Sequence, residues 1–294
     1  MTERLPSTEQ VDGTTVDIDR VDTATRVRLL IESQRGAVDA ALAAAHAIAQ
    51  AADAVAAALR AGGRVIVLGA GTSGRLAVLD ASELPPTFGF PPERYEGRIA
   101  GGDGALRRSI EGAEDDLGAG AASVADAGPN DVVIGLSASG SAAFVRGALV
   151  AARANGALTI ALVNASDTPL AREADLAIEV VTAAEPIAGS TRMRAGTAQK
   201  VVLNTISTAA MIALGKTYRN RMVDVVASNA KLRARALRLV TELAGGVDAA
   251  ALLDAAGGRV KTAVVMARRN VGREAAERLL DAAGGRLAQL MDES

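Results

Sequence analysis

Short apolar runs alternate with helical patterns through the middle of the chain. The runs predict buried strands at 64–69, 131–136 and 158–163, and further strands near 97–100 and 176–180. Helices are predicted between them at 74–82, 104–113, 119–127, 141–155 and 168–173. Because strands that alternate with helices form parallel sheets covered on both faces, the pattern predicts an α/β fold with a doubly wound parallel sheet.

Both ends of the chain carry helical patterns instead. Residues 1–22 are expected to form a weakly structured arm, followed by a helix at 23–35 and an Ala-rich helix over 36–61 that ends at two glycines. After a polar loop at 182–190, a long helix is predicted from about 190 to 214, and residues 228–294 are predicted to be helical throughout. We therefore predict an N-terminal arm with helices at 1–60, a ligand-binding sheet domain at 61–246 and a small helical domain at 247–294.

The turn after the first strand has the residues of an anion-binding loop. Gly71 and Gly74 allow a tight turn and a close approach of a ligand, while Thr72 and Ser73 offer hydroxyl groups. The next helix directs its first N–H groups to the same point, which suits a phosphate ester. The spacing also fits the dinucleotide motif G-x-G-x-x-G, but residues 85–89, PPTFG, stand where that fold needs an acidic residue for the ribose.

A second loop of the same kind follows the strand at 131–136. Ser137, Ser139, Gly140 and Ser141 lie between this strand and the next helix. Two such loops at neighbouring strand ends can surround one phosphate with backbone donors and hydroxyl groups. Since ligands of doubly wound sheets bind beyond the carboxyl ends of the strands, we expect both loops to belong to one site.

Composition excludes several classes of function. The chain has no Cys and a single His, His46, so one chain cannot supply a thiol nucleophile, a Cys/His zinc site or a multi-histidine metal centre. With a net charge of −2 and 2% aromatic residues, it shows no footprint for nucleic acid. The polar N-terminus lacks an apolar signal core, and charged residues interrupt the most apolar helical stretch at 37–59. We therefore expect a cytoplasmic protein with no membrane contact.

Several long motifs resemble those of a known family. They are GAGTSGRLAVLDASELPPTFG at 69–89, EGAED at 111–115, GSTRMRAGTAQKVVLN at 189–204, MVDVVASNAKL at 222–232 and VKTAVVM at 260–266. With them the chain resembles the sugar isomerase (SIS) domain family and, within it, the N-acetylmuramic acid 6-phosphate etherases. The resemblance implies an SIS-type sheet, a homodimer with sites near the subunit interface, and cleavage of the lactyl ether of the sugar phosphate to N-acetylglucosamine 6-phosphate and D-lactate.

The resemblance also implies two catalytic carboxylates. Glu83 would remove or deliver a proton during an elimination, and Glu114 would assist. The pattern places Glu83 at the end of a helix, just before a stiff Pro-rich connection at 84–93 that is expected to hold it near the first phosphate loop. Without the family resemblance, the residues alone also allow Glu83 to be a solvated carboxylate at a helix end and Glu114 to be part of a charged helix face. No metal or redox cofactor is required.

Substrate-binding residues are expected at both loops and at the start of the long helix. Thr72 and Ser73 are the first candidates for phosphate contacts, and Arg75 could neutralise the phosphate or pair with Asp80. The remaining candidates are Gly71, Gly74, Ser137, Ser139, Gly140, Ser141, Ser190, Thr191 and Lys200. The last three begin the long helix and could face the sugar or the partner subunit, or belong to a capped structural helix.

The second loop departs from the family pattern. Etherases of this family usually have Arg-Thr-Pro-Tyr after the second Ser-Gly, whereas this chain has SAAF at 141–144 and so lacks a cation and a hydroxyl group. Alternatives therefore stay open: a non-catalytic SIS module that binds a sugar phosphate and regulates a partner, a divergent paralogue acting on another sugar phosphate, or an aldose-ketose isomerase. The presence of both Glu83 and Glu114 favours the etherase, because a sensor does not need an acid and a base.

Overall fold

The computed structural model describes residues 7–225, 230–245 and 248–291. The chain divides into two compact units, one formed by Met1–Ser82 with Glu93–Ser207 and the other by Glu83–Pro92 with Thr208–Ser294. The predicted domain boundary between residues 246 and 247 lies outside the described residues and stays a prediction.

A five-stranded parallel sheet forms the centre of the first unit. Its strands are β1 (Val65–Gly69), β2 (Tyr95–Ile99), β3 (Val132–Ser137), β4 (Leu158–Val163) and β5 (Leu176–Glu179). Their order is β2-β1-β3-β4-β5, and every neighbouring pair is parallel. This confirms the predicted doubly wound sheet. The order reverses direction between β1 and β3, so the carboxyl ends of these two strands flank the crevice in which such folds bind ligands.

Helices and short 3-10 turns connect the strands of this unit. The α-helices are α1 (Thr23–Ser33), α2 (Arg35–Ala43), α3 (Ala45–Arg60), α4 (Gly71–Phe88), α5 (Leu117–Ala122), α6 (Ala143–Ala154), α7 (Pro169–Glu173) and α8 (Arg194–Ala213). The 3-10 turns are Ser7–Glu9, Pro92–Arg94, Asp103–Leu106 and Ala113–Asp115. Aliphatic side chains of the sheet and of α6, such as Ile66, Val133 and Leu149, form one buried core.

The structure corrects three of the predicted helices. The helix predicted over 36–61 divides at Ala44 into α2 and α3, although neither Gly nor Pro marks the break. The helices predicted at 104–113 and 119–127 are reduced to two 3-10 turns and the short α5. Within the first of these segments Gly112 adopts a positive φ angle of 73°, which interrupts a helix.

No single described helix is long and apolar enough to cross a membrane. By length and composition alone, the pair Thr23–Ala43 and Ala45–Arg60 would qualify as a broken span, bent by 65°.

The described part of the second unit is mainly helical, as predicted for the C-terminal region. It contains a small hairpin of β6 (Thr217–Tyr218) and β7 (Arg221–Met222), followed by α9 (Ala230–Ala244), α10 (Ala249–Ala255), α11 (Val260–Arg269), α12 (Arg273–Ala282) and α13 (Leu287–Met291). Its core includes Val240 of α9, Leu253 of α10 and Val264 of α11. The helices therefore bury a common apolar interior.

A buried ammonium group cross-links this second unit. Lys261 Nζ donates hydrogen bonds to the carbonyl oxygens of Gly285 (2.8 Å) and Gly215 (3.2 Å). It also lies 2.8 Å from Asp224 Oδ2, and Lys216 lies 2.9 Å from the same oxygen. Burial lowers the pKa of Lys261, and the Asp224 carboxylate opposes that shift. Lys261 thereby joins the chain that follows α8 to the chain that follows α12.

We expect Lys261→Met to lower the free energy of unfolding by roughly 2–4 kcal/mol, because two carbonyl oxygens and a carboxylate lose a buried donor. Lys231→Met, at an exposed position of α9, is the matched control and should change it by less than about 0.5 kcal/mol. The measurement is urea-induced unfolding followed by circular dichroism. Equal midpoints and slopes for the two variants would contradict the assignment.

Candidate functional site

Both predicted loops lie at the same edge of the sheet. β1 and β3 are neighbours in register, with Gly69 opposite Leu136, so their carboxyl ends are side by side. Residues 70–74 follow β1 and residues 138–142 follow β3. The topology therefore brings together the two loops that the sequence separates by more than 60 residues.

The first loop is shaped by a very close approach of backbone to backbone. Gly71 adopts a φ angle of 52° and begins α4. A Cβ at Gly74 would lie 2.4 Å from the carbonyl oxygen of Gly69 and 2.6 Å from a side-chain carbon of Ile99, so no larger residue fits there. The first N–H groups of α4 are thus fixed against the end of β1, the geometry that suits an anion.

A buried hydrogen-bond chain holds Ser73. Its hydroxyl donates to Gln199 Oε1 (2.8 Å), and Gln199 Nε2 donates to Asn164 Oδ1 (2.9 Å). Asn164 Nδ2 then donates to the carbonyl oxygen of Val180 (3.1 Å). Since a carbonyl oxygen can only accept, it fixes the orientation of both amides and the direction of the chain. The Ser73 proton is therefore used internally, which leaves Thr72 and the backbone N–H groups as the donors of this loop.

The second loop is held by its own side chains. Ser137 Oγ accepts a hydrogen bond from the N–H of Gly140 (3.0 Å), and the Ser139 and Ser141 hydroxyls lie 2.8 Å apart. Gly140 has a φ angle of 70°, and a Cβ there would lie 2.3 Å from the Cβ of Thr168. Ser137 and Gly140 are buried, whereas Ser139 is half-buried and Ser141 exposed. The last two hydroxyls are thus the accessible ones.

The long helix starts later than predicted. Ser190 and Thr191 lie in the turn before α8, which begins at Arg194. The buried Glu185 carboxylate sets this start, because it accepts hydrogen bonds from the N–H groups of Arg194 (2.7 Å) and Ala195 (2.9 Å).

The first turns of α8 pass close to the first loop. A Cβ at Gly196 would lie 3.3 Å from both Thr72 Cγ2 and the carbonyl oxygen of Thr191. Thr191 is thereby brought near Thr72. Lys200, one turn further along α8, donates to Asn204 Oδ1 (2.7 Å).

A small cleft joins the first loop to Glu114. It has a volume of about 160 Å³ and is lined by Ala70, Gly71, Arg75, Ala100, Ala105, Arg108, Ser109, Ile110, Ala113 and Glu114. Arg75 was expected to neutralise the phosphate or to pair with Asp80. Its guanidinium group instead donates hydrogen bonds to the carbonyl oxygens of Ala105 (2.7 Å) and Leu106 (3.2 Å). It thereby ties the segment that carries Glu114 to the first turn of α4.

The surroundings of Glu114 raise its pKa. Its side chain reaches solvent, but the surrounding protein desolvates it and raises its pKa, and the nearby Asp115 carboxylate raises the pKa further. A carboxyl group with a raised pKa exchanges its proton at a pH closer to neutral, as a general acid or base requires.

Glu83 lies inside α4 rather than at its end. The helix continues through Pro85 and Pro86 to Phe88, which corrects the predicted stop at residue 82 and the predicted connection at 84–93. The fixed φ angle of proline is compatible with a helix, but each proline lacks an N–H donor and its ring crowds the carbonyl group four residues earlier, so the two prolines make this stretch of helix costly. Glu83 is exposed there. The division into two compact units falls within this helix, so Thr72 belongs to the first unit and Glu83 to the second.

Four residues at this edge of the sheet were not predicted from the sequence. Gln199 and Asn164 organise the hydrogen-bond chain, and Arg108 and Ser109 line the cleft. Gln199 lies within the motif at 189–204, but neither amide stands in a glycine-rich loop that would mark it. No sequence motif marks Arg108, and only the fold brings it to the cleft.

Comparisons with known proteins cover nearly the whole chain. A model of the SIS domain matches residues 114–209, and a model of the glucokinase regulatory protein N-terminal SIS domain matches residues 47–153. A protein named N-acetylmuramic acid 6-phosphate etherase from Gloeobacter violaceus is 51% identical over 275 residues, 90% of either chain. Its namesake from Deinococcus radiodurans is 49% identical over 92% of this chain and 90% of its own. A solved phosphoheptose isomerase from Francisella tularensis, 25% identical, matches 66% of this chain and 98% of its own with a TM-score of 0.48.

We expect Asp115→Asn to lower the pKa of Glu114, because removing the neighbouring negative charge favours the ionised form of Glu114. The titration of the Glu114 carboxyl carbon, followed by ¹³C NMR, should move to lower pH. Asp103→Asn removes the same charge at an exposed position and serves as the control. An equal displacement in both variants would show that Asp115 has no specific effect.

Proposed function

We propose, because the chain belongs to the family of N-acetylmuramic acid 6-phosphate etherases, that it cleaves the D-lactyl ether of N-acetylmuramic acid 6-phosphate. The products are N-acetylglucosamine 6-phosphate and D-lactate. The observation that carries this proposal is the identity of about half of all positions over 90% of the chain. The geometry supports it, since an anion-binding loop and a carboxyl group with a raised pKa line one cleft.

The two loops at the sheet edge are proposed to hold the phosphate. The N–H groups at the start of α4 and the Thr72 hydroxyl supply donors on one side. Ser139 and Ser141 supply hydroxyls on the other. Gly140 keeps this loop in a left-handed turn in which its backbone can approach a ligand. Hydrogen bonds of this kind position a phosphate without a resident metal.

The reaction becomes accessible once the sugar opens to its aldehyde. The proton on C2 is then acidic, because its removal gives an enolate, and the lactyl ether on C3 lies β to the carbonyl carbon. A base removes the C2 proton, the C3–O bond breaks with its electron pair on oxygen, and an acid protonates the departing lactate. Water then adds at C3 and a proton returns to C2. In total, one water molecule is consumed and one ether bond is broken.

Glu83 and Glu114 are the proposed proton-transfer groups. Glu114 lines the cleft beside the first loop and has the raised pKa that such a role needs. Glu83 is proposed to remove or deliver a proton, with Glu114 assisting. The resemblance to the etherases implies a homodimer with sites near the subunit interface. We therefore propose that the active protein is a homodimer in which each site takes Glu83 from a second copy of the chain.

The substrate also bears on location. A phosphorylated sugar does not cross a membrane unaided, so we place the enzyme in the cytoplasm.

Purified protein incubated with N-acetylmuramic acid 6-phosphate should release D-lactate, and Glu83→Gln should lower kcat by roughly 10²–10⁴-fold, because it removes a proton-transfer group. Glu93→Gln, an exposed change on the neighbouring 3-10 turn, should leave kcat within about twofold of the wild type. An enzymatic D-lactate assay gives both values. Lack of release by the wild type would overturn the etherase. Exchange of the C2 hydrogen in heavy water without lactate formation would identify an isomerase instead.

Mixed dimers test whether the two carboxylates come from different copies. Glu83→Gln and Glu114→Gln chains carrying different affinity tags are co-expressed, and the mixed dimer is purified through both tags. If each site combines Glu114 of one copy with Glu83 of the other, one of the two sites is intact and the mixed dimer retains about half of the wild-type activity. If both carboxylates come from one copy, both sites lack a group and the mixed dimer is as inactive as its parents. Failure to isolate any dimer would also refute the assignment.

A further inference from the structure

The cleft beside the first loop contains a cation that the fold does not use. Arg108 lines the cleft together with Glu114. Among the described residues, none accepts a hydrogen bond or forms an ion pair with its guanidinium group. Arg75, the other cation of the cleft, is bound to the carbonyl oxygens of Ala105 and Leu106. Arg108 is therefore the cation of this cleft that is available to a ligand.

The segment that carries Arg108 is fixed in place. Arg75 holds it at residues 105 and 106 through two hydrogen bonds from α4. Further along, the side chain of Ile110 packs so closely on Gly101 that a Cβ there would lie 3.1 Å from Ile110 Cδ1. Contacts on both sides therefore hold the segment at the cleft, while the Arg108 side chain itself is exposed.

The size of the cleft limits what it can hold. Pockets for a whole small ligand have volumes of roughly 300–1,000 Å³, whereas this cleft has about 160 Å³. Only one branch of a phosphorylated amino sugar can therefore enter it. The remainder of the substrate must lie outside, along the two loops.

The lining of the cleft distinguishes among the branches of the substrate. Arg108 and Ser109 offer donors for an anion, while Ala105, Ile110 and Ala113 offer apolar surface. A phosphate has no apolar part, and an N-acetyl group has a methyl but no charge. The lactyl branch has a carboxylate, a methyl group and the ether oxygen that must be protonated.

We propose that this cleft is the lactyl subsite and that Arg108 binds the lactyl carboxylate. The inference rests on the proposed etherase function. Ser109 donates a second hydrogen bond to the carboxylate, and the methyl group of the lactyl branch contacts Ile110 and Ala113. Glu114, on the same wall, faces the ether oxygen. Arg108 is thus a substrate-binding residue that recognises the group to be released.

The test compares two ligands that differ only in the lactyl branch. N-acetylmuramic acid 6-phosphate carries it, and N-acetylglucosamine 6-phosphate does not. Arg108→Gln should raise the KM for the first by roughly 10- to 100-fold, the loss expected for a charge-assisted hydrogen bond. The dissociation constant of the second, measured by calorimetry, should stay within about twofold of the wild-type value.

Arg107→Gln is the matched control, because Arg107 is an exposed neighbour that does not line the cleft, and it should change neither value. Arg108→Lys keeps the charge and should recover part of the affinity. It also provides the same comparison should the Gln variant not fold.

Each result bears on the proposal. Equal weakening of both ligands would assign Arg108 to the phosphate, in place of the cation missing at residue 141, and would overturn the lactyl subsite. No effect beyond that of Arg107→Gln would overturn it as well. If instead the proposed etherase function is wrong, the wild type itself will release no D-lactate, so the two outcomes can be distinguished.

Discussion

The buried hydrogen-bond chain from Ser73 through Gln199 and Asn164 is the interaction on which the site depends. It joins the start of α4, the second turn of α8, the residue after β4 and the residue after β5. Each of these polar groups would cost free energy if buried without a partner, so the chain is stable only when all of its members are in place. It therefore fixes the crevice edge of the sheet as a single rigid platform, against which the two glycine-containing loops are held.

Binding and proton transfer are assigned to parts of the molecule that are held in different ways. The proposed phosphate loops belong to the sheet edge, where the backbone of Gly69 beside Gly74 and the Thr168 side chain beside Gly140 leave no space for a larger residue. Glu114 belongs to an irregular, Gly-rich segment that owes its position to the bonds from Arg75. A carboxyl group on such a segment can be partly desolvated yet open to solvent, which raises its pKa while protons still reach it.

Helix α4 carries two of the proposed functional groups. It begins at the proposed phosphate loop and contains Glu83 further along, with two prolines that do not end it. In the proposed homodimer each α4 serves both sites, because its first turn binds the phosphate of one site and its Glu83 side chain enters the other.

The parallel sheet, both loops and the family could be predicted from the sequence, because strand periodicity, glycine spacing and long motifs are local in the chain. The break at Ala44, the continuation of α4 through Pro85 and Pro86, and the start of α8 at Arg194 were not predicted. The start of α8 depends on the Glu185 carboxylate, which accepts hydrogen bonds from the N–H groups of Arg194 and Ala195. That Ser73 donates to Gln199 and that Arg108 shares a cleft with Glu114 follows from the fold, because no local sequence pattern marks either contact.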